Sequence, residues 1–178
     1  AAFLWLMAQL PWRFLMQAGK WMGSFLWLVL QKKRKRVLYT NIRLCFPERS
    51  ANQQEALARR HIHAMGRGVF EVALAWWGRD SQLRPLAHIS GLEHFEEALA
   101  RGKGVILLSA HFSSLEIGGR LLSYFTPFHV VYRSNENPVT EYLMKHNREK
   151  RFEKAIEKRN IKEMLRSLKS GKAVWYAP

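Results

Sequence analysis

The spacing of apolar residues predicts a long amphipathic helix between about Gln53 and Trp77. Steps of four and three residues alternate between its apolar positions, which are Ala58, Ile62, Met65, Val69, Val72 and Trp76. Because an α-helix has about 3.6 residues per turn, these side chains lie on one face, and we expect that face to pack against a core. His61 and His63 stand two residues apart, about 200° around the helix, so they cannot share a metal ion.

After Gly91 the pattern changes to an alternation of helices and strands. The predicted helices are Leu92–Ala100, Ser113–Phe125, Pro138–Arg159 and Ile161–Leu168. The predicted strands are the short apolar runs Val105–Ser109, Phe128–Tyr132 and Ala173–Tyr176. Repeated β-α units of this kind are typical of a mainly parallel sheet flanked by helices, so the predicted fold class is α/β.

Residues 3–30 have a composition that favours the membrane. They contain only two charged residues, Arg13 and Lys20, and hold four of the seven tryptophans. A spanning helix needs about 20 consecutive apolar residues. Pro11 and the two charges interrupt this run, so a spanning helix and a helix lying in the interface both stay open. A secretory signal peptide is less favoured, because no basic region precedes the apolar part and no small-residue cleavage pattern follows it.

Five consecutive cations, Lys32 to Arg36, follow the apolar segment directly. Such clusters bind anionic lipid by roughly 1 kcal/mol per basic residue and mark the cytoplasmic side of a membrane segment. A solvated charge run or a nucleic-acid patch is the alternative, but the neighbouring tryptophan-rich segment favours lipid. We therefore predict that residues 1–36 are a membrane-attachment helix with a polybasic segment, and that residues 37–178 are the N-terminal part of the α/β domain.

The charge of the chain favours anionic partners. The formal net charge is +15, and eight Lys and Arg precede the first acidic residue, Glu48. Phospholipid head groups, nucleic acid, a phosphorylated substrate and an acidic carrier protein all fit this balance. The single cysteine, Cys45, cannot form an internal disulfide, which fits a reduced, cytoplasmic-side location.

Candidate chemistry lies just after the first predicted strand, in the stretch SAHFSSLE (109–116). Ligands of parallel α/β sheets bind outside the carboxyl ends of the strands, where His111 is placed. Glu116 can meet His111 only if the histidine lies in the loop and the glutamate in the first helical turn. A neutral imidazole could then take a proton from a hydroxyl while the carboxylate fixes its tautomer, which is the chemistry of acyl transfer or hydrolysis.

Glu116 also has a purely structural explanation. Ser113-x-x-Glu116 has the spacing of a capping box, which would account for the glutamate but not for His111. The chain has no Gly-x-Ser-x-Gly elbow, no Walker-type phosphate loop, no dinucleotide glycine fingerprint and no zinc-type histidine spacing. We therefore predict neither a cofactor nor a metal.

The spacing His111-x-x-x-x-Glu116 resembles the His-x-x-x-x-Asp/Glu motif of the lysophospholipid and glycerolipid acyltransferase superfamily. Six blocks in order resemble, more specifically, the late acyltransferases of lipid A biosynthesis, the lauroyl and myristoyl transferases. These blocks are NIRLCFPE (41–48), GRGVFEVALAWW (66–77), GLEH (91–94), GVILLSAHFSSLEIGGR (104–120), VYRSNENP (131–138) and GKAVWYAP (171–178).

The resemblance implies an acyltransferase on the cytoplasmic face of a bacterial inner membrane. Such an enzyme moves a fatty acyl group, with the lauroyl branch looking closest, from acyl carrier protein to a hydroxyl of a Kdo-bearing lipid A precursor. By the same resemblance, His111 is the general base, Glu116 orients it, and Arg133 binds substrate phosphate or supports the site. Apart from the resemblance, Arg133 is a surface arginine after a strand.

Two further expectations complete this interpretation. Members of the family continue past WYAP with an acidic segment and a C-terminal region, so the chain is expected to be C-terminally incomplete. The same chemistry on a lysophospholipid or glycerol phosphate is one alternative function, and a non-catalytic membrane or nucleic-acid binding module is another. Nucleic acid is not expected as a partner, because the aromatic residues are concentrated in the apolar segment instead of being interleaved with Lys and Arg.

Overall fold

The computed structural model describes residues 2–178, and the chain forms two compact units. The first unit ends at Arg79 and the second begins at Asp80. The first unit is helical, and its helices are α1 (Ala2–Met7), α2 (Trp12–Val29), α3 (Lys32–Cys45) and α4 (Ala51–Trp77). The helix predicted for residues 53–77 is therefore confirmed as α4.

Local capping chemistry fixes the start of α4. The Ser50 hydroxyl accepts a hydrogen bond from the backbone N–H of Gln53, and the Gln53 side chain accepts one from the backbone N–H of Ser50. This reciprocal pair satisfies two backbone donors that a helix start otherwise leaves without partners. The helical face predicted from the sequence is only partly correct: Ala58 and Ile62 are buried, but Met65 and Val69 are exposed. The later turns of α4 bury Phe70, Ala73 and Leu74 instead.

Glycine allows α2 and α4 to pack closely in the first unit. A methyl group added at Gly66 of α4 would collide with the backbone of Gly19 and Gly23 on α2. Small residues at such a crossing let two helix backbones approach closely. The face of α2 opposite this contact points away from α4. None of the helices within residues 2–178 combines the length and the apolar character that crossing a bilayer requires.

The second unit is an α/β layer structure that confirms the predicted fold class. Its helices are α5 (Asp80–Leu83), α6 (Leu92–Ala100), α7 (Leu115–Leu122), α8 (Pro138–Arg151) and α9 (Ile161–Lys169), with a short 3₁₀ turn at Arg84–Leu86. Its strands are β1 (Val105–Leu108), β2 (His129–Tyr132), β3 (Lys154–Glu157) and β4 (Ala173–Tyr176). All of the strand pairs are parallel, in the order β1-β4-β2-β3.

The helix predicted for Pro138–Arg159 is wrong in its last third. Asn137 caps the helix start as expected, because its side chain accepts hydrogen bonds from two backbone N–H groups. The helix ends at Arg151, however, and residues 154–157 form β3 instead. β3 pairs with β2 over its whole length and buries Ile156, so sheet pairing overrides the helical preference of this charged stretch.

A glycine turn sets the entry into β1. Gly104 has a φ of 75°, and a methyl group there would collide with the backbone of Leu168. Only glycine tolerates both the left-handed backbone and the close approach. At the other end of β1, the backbone N–H of Ser109 donates to the carbonyl of Tyr176 at 2.9 Å, which extends the pairing with β4. The loop that carries His111 therefore starts from a fixed point.

Candidate active site

The carboxyl ends of the four parallel strands share one edge of the sheet, and the predicted site residues lie there. His111 stands in the loop between β1 and α7, and it is exposed. Glu116 stands in the first turn of α7 with its side chain 18% exposed. The strand, loop and helix that the sequence predicts are thus present. Within residues 2–178, His111 forms no hydrogen bond or ion pair with Glu116, so the role of this pair stays a prediction.

Glu116 pairs with an arginine that the sequence analysis did not select. Arg148, on α8, donates from Nη2 to Oε1 of Glu116 and forms an ion pair with it. The Arg148 side chain is only 10% exposed, and its guanidinium lies 5.2 Å from the centre of the Tyr132 ring. Glu116 is therefore held by a buried cation, 32 positions away in the sequence, and not only by its own helix.

A helical spacing could have identified Arg148. Glu141, Met144 and Arg148 follow one another at steps of three and four residues, the spacing of one face of α8. Arg148 is nevertheless one of several cations in the last turns of that helix. Composition alone does not distinguish Arg148 from these other cations, because charged residues in such a run are normally all solvated.

The structure does not form the capping box that offered a structural explanation of Glu116. Helix α7 begins at Leu115, and Ser114 is its N-cap residue, with no capping hydrogen bond from its side chain. Ser113 lies one residue earlier, outside the capping position. The carboxylate of Glu116 is engaged by Arg148 instead.

Hydrogen bonds to Glu141 connect Tyr132, whose ring contacts the guanidinium of Arg148, to the loop after β2. The hydroxyl of Tyr132 donates to Oε1 of Glu141 at 3.2 Å, and the backbone N–H of Asn135 donates to Oε2 of the same carboxylate at 2.7 Å. Burial, followed by the negative charge of Glu141, raises the pKa of the Tyr132 phenol above its ordinary value. The phenol therefore stays neutral and donates a hydrogen bond to Glu141, which fixes the orientation of the ring that Arg148 contacts.

A small cavity of about 40 Å³ lies beside this ion pair. Glu116, Arg148 and Trp175 line it together with Gly119 of α7. A methyl group at Gly119 would come within 2.5 Å of the Trp175 ring, so glycine is what lets the tryptophan close against α7. The Nη1 atom of Arg148 is buried and has no hydrogen-bond partner among residues 2–178. The cavity thus has an apolar wall and one charged corner.

Arg133 lies at the same edge of the sheet but in a different cavity. It follows β2 directly and is exposed. β4 separates β1 from β2, and neighbouring strands are about 4.8 Å apart, so the ends of β1 and β2 stand about 10 Å from each other. The structure does not place Arg133 among the residues that line the cavity beside Glu116. No cluster of three or more His, Cys, Asp or Glu suited to a metal ion occurs within residues 2–178.

The family model and the individual relatives that match this chain all point to one family. The family model described as "Bacterial lipid A biosynthesis acyltransferase" matches residues 1–178. The chain is 32% identical to the lipid A biosynthesis lauroyltransferase of Escherichia coli (strain K12) over 175 residues, which cover 98% of this chain and 57% of the relative. It is also 32% identical over 175 residues to the palmitoleoyltransferase of the same strain, with the same coverage of both chains.

A relative of lower identity is named for the transfer of a myristoyl group. The lipid A biosynthesis myristoyltransferase of Escherichia coli (strain K12) is 28% identical over 160 residues, which cover 88% of this chain and 49% of the relative. The chain therefore spans about half the length of the curated relatives that it matches. The matched part of each relative includes the region that contains His111, Glu116 and Arg148 here.

Proposed function

The chain belongs to the family of bacterial lipid A biosynthesis acyltransferases, and from that membership we propose that it carries the reacting groups of a lipid A O-acyltransferase. The proposed reaction moves a fatty acyl group, lauroyl by preference, from acyl carrier protein to a hydroxyl of a Kdo-bearing lipid A precursor. The observation that supports it most is the pairing of Arg148 with Glu116, which stands in the first turn of α7, the helix that follows the exposed His111 loop. A carboxylate fixed at the rim of a sheet is what a histidine base requires as a partner.

In the proposed mechanism, His111 first accepts a proton from the acceptor and later gives it to the leaving group. Its neutral imidazole takes the proton of the acceptor hydroxyl while that oxygen attacks the thioester carbonyl of the acyl donor. The tetrahedral intermediate collapses with cleavage of the carbon–sulfur bond, and the imidazolium returns the proton to the departing thiolate. The products are the acyl ester and the free thiol of the carrier, so atoms and protons balance.

Glu116 acts in this mechanism by orienting His111 and stabilising the imidazolium. A carboxylate has two oxygens and about four acceptor positions, so an ion pair with Arg148 is compatible with a further hydrogen bond to the imidazole. Arg148 and the Tyr132 ring beneath it fix the position of the carboxylate. Arg133 is proposed to bind the substrate from the neighbouring part of the sheet edge.

The test of this function is a transfer assay with competing acceptors. We expect labelled lauroyl groups to move from acyl carrier protein to a Kdo-bearing lipid A precursor, with product detected by thin-layer chromatography and mass spectrometry. Lysophosphatidic acid and glycerol 3-phosphate, present in the same mixture, should stay unmodified. Acylation of either of these in preference to the lipid A precursor would contradict the proposal.

Attachment of residues 3–36 to the cytoplasmic face of the inner membrane is the second part of the proposal. Four large apolar side chains of α2 are exposed on one face, and they are Phe14, Trp21, Phe25 and Leu28. The five cations of residues 32–36 begin α3 immediately afterwards. An exposed apolar face beside a cationic cluster is the arrangement by which a helix lies in an anionic lipid surface. Residues 37–178 then form the rest of the proposed acyltransferase region.

Replacing Lys32, Lys33 and Arg34 with glutamine should weaken binding to phosphatidylglycerol-containing vesicles. Each cation near an anionic surface contributes about 1 kcal/mol, so we expect a loss of about 3 kcal/mol, which vesicle sedimentation can measure. The matched control removes three exposed lysines of the second unit, Lys103, Lys162 and Lys169. Equal loss in both variants would mean that net charge, and not this segment, controls vesicle binding.

A further inference from the structure

An open groove lies between α3 and α4 in the first unit. Its volume is about 530 Å³, within the range of roughly 300 to 1,000 Å³ that is usual for ligand sites. Five apolar side chains line it, and they are Leu30, Val37, Leu38, Ile62 and Met65. The polar side chains of the lining are Gln31, Lys33, Arg34, Asn41 and His61. The groove therefore combines an apolar part and a cationic part within one helical unit.

One face of α3 contributes both parts of the groove. Lys33 and Arg34 stand in the first turn of the helix, and Val37 and Leu38 follow each of them by four residues. Because a helix has about 3.6 residues per turn and rises 1.5 Å per residue, the apolar pair lies on the same face, about 6 Å further along the axis. The groove is therefore cationic at the start of α3 and apolar beyond it.

Helix α4 supplies the opposite wall of the groove. Ile62 lines the groove although it is only 5% exposed, so it lies deep, whereas Met65 is 50% exposed. His61 is exposed beside Ile62, and even a neutral imidazole can donate one hydrogen bond. Apolar surface that stays in contact with water is stabilised when a hydrocarbon chain covers it. The α4 wall is thus suited to a ligand with a hydrocarbon part.

The charges of the lining select an anionic head group. Within residues 2–178, the groove is lined by two cationic side chains, Lys33 and Arg34, and by no carboxylate. Arginine presents a planar fork of donors that matches phosphate oxygens, and lysine adds a point charge. Gln31, the N-cap residue of α3, also lines the groove and makes no capping hydrogen bond, so the positive end of the helix dipole adds to these charges. A zwitterionic head group would bring a cation of its own to this site.

The groove also begins where the exposed apolar face of α2 ends. Leu28 and Val29 are 77% and 57% exposed, and they stand directly before Leu30, the C-cap residue of α2 that lines the groove. The surface proposed to lie in lipid is therefore continuous along the chain with one end of the groove. An acidic protein surface would match the two cations but not the apolar walls, whereas a phospholipid matches both.

We propose that the groove between α3 and α4 binds one molecule of an anionic phospholipid, with its phosphate at Lys33 and Arg34 and part of an acyl chain against Met65. The site deepens the proposed membrane attachment and rests on it for the source of the lipid. Attachment through a cationic cluster needs no defined site, because each cation near the surface contributes about equally. The groove instead gives the cations unequal parts, since Lys32 and Arg36 do not line it.

The first test uses a lipid that forms no membrane. Dihexanoylphosphatidylglycerol, kept below its critical micelle concentration, is titrated into protein with ¹³C-labelled methionine methyl groups at physiological ionic strength. The methyl signal of Met65 should shift until the site is saturated, and that of Met144 in the second unit should not. Lys33→Gln with Arg34→Gln should weaken binding at least about tenfold, because two charge-assisted contacts are lost.

A matched double variant removes the same charge from the same cluster. Lys32→Gln with Arg36→Gln leaves the lining of the groove unchanged, although it should weaken binding to vesicles. It should weaken binding of the monomeric lipid by less than about threefold, since exposed charges more than about 8 Å apart are largely screened at this ionic strength.

The apolar part of the site has its own matched pair on α4. Met65 and Val69 are 50% and 41% exposed and stand one turn apart, but only Met65 lines the groove. Met65→Glu should abolish binding of the short lipid, because it places a carboxylate where the chain and the phosphate would lie; here the protection of the His61 and Ile62 amides from solvent exchange reports binding. Val69→Glu should bind like the wild type. Glycerol 1-phosphate, which has no acyl chain, should bind at least about tenfold more weakly than the lipid, as should dihexanoylphosphatidylcholine.

The outcomes separate this site from the membrane attachment on which it rests. Equal weakening in the two double variants, or equal binding of glycerol 1-phosphate and the lipid, overturns the site while leaving the attachment in place. Saturable binding of the short lipid by a protein that does not sediment with vesicles would contradict the attachment but support the site. A Met65 shift caused by acyl carrier protein and not by the lipid would make the groove a protein docking surface, and the lipid assignment would be wrong.

Discussion

Acyl transfer is expected to fall about 10²- to 10⁴-fold when His111 is replaced by alanine, the usual loss for a general base. The side chain is exposed at the end of β1, where an incoming hydroxyl can reach it, and few packing contacts are removed with it. The loss should therefore appear in kcat/KM and leave the unfolding temperature almost unchanged. Vesicle binding should also persist, because the proposed attachment segment lies in the first unit.

A matched control for His111 is available in the same unit. His88 is exposed and lies outside the candidate site, so His88→Ala should keep the activity of the wild type. The measurement is the rate of lauroyl transfer from acyl carrier protein at saturating and at limiting acceptor. Full activity of the His111→Ala protein would remove the histidine from the mechanism, and another base would then have to be sought at the sheet edge.

Replacing Arg148 with methionine should destabilise the second unit by about 3 to 5 kcal/mol. The replacement leaves the largely buried carboxylate of Glu116 without its cation, and an unpaired buried charge is costly. Because the Glu116 side chain is 18% exposed, water can reach part of it, and the lower end of that range is expected. Acyl transfer should fall as well, since the carboxylate that is proposed to orient His111 is no longer held.

A double variant separates the stabilising role of Arg148 from its positioning role. Replacing Arg148 with methionine and Glu116 with leucine removes both charges, so most of the stability should return while acyl transfer stays low. Conversely, Arg148→Lys keeps a cation and should recover part of the activity. If the double variant were fully active, neither residue would position the base.

The control for the stability measurement lies on the same helix. Lys145 forms an exposed ion pair with Glu149 at 3.9 Å, and such surface pairs contribute about 0 to 1 kcal/mol. Lys145→Met should therefore unfold at nearly the wild-type urea concentration. Amide hydrogen exchange of β2 and β4 reports the second unit separately from the helical first unit. Equal stability of the Arg148 and Lys145 variants would contradict a buried pair at Glu116.

Local sequence patterns predicted much of the fold but failed where pairing decided the structure. The strands at Val105, at His129 and at Ala173 were found because their apolar residues form short continuous runs. β3 was missed because Lys154–Glu157 carries a charge at both ends and continues a helical pattern. Only its register with β2 makes it a strand, and no local signal contains that information.

The sequence alone determined the family, the parallel α/β architecture and the place of His111 beyond β1, because motif spacing and apolar periodicity are local properties of the chain. The tertiary structure alone decided that Glu116 pairs with Arg148, 32 positions away, and that Lys33 and Arg34 share one groove with Met65. Such contacts depend on distance in space and on burial, and both are set only when α8 docks onto the sheet and α3 packs against α4. The candidate chemistry was therefore readable in the sequence, but the groups that hold it in place were not.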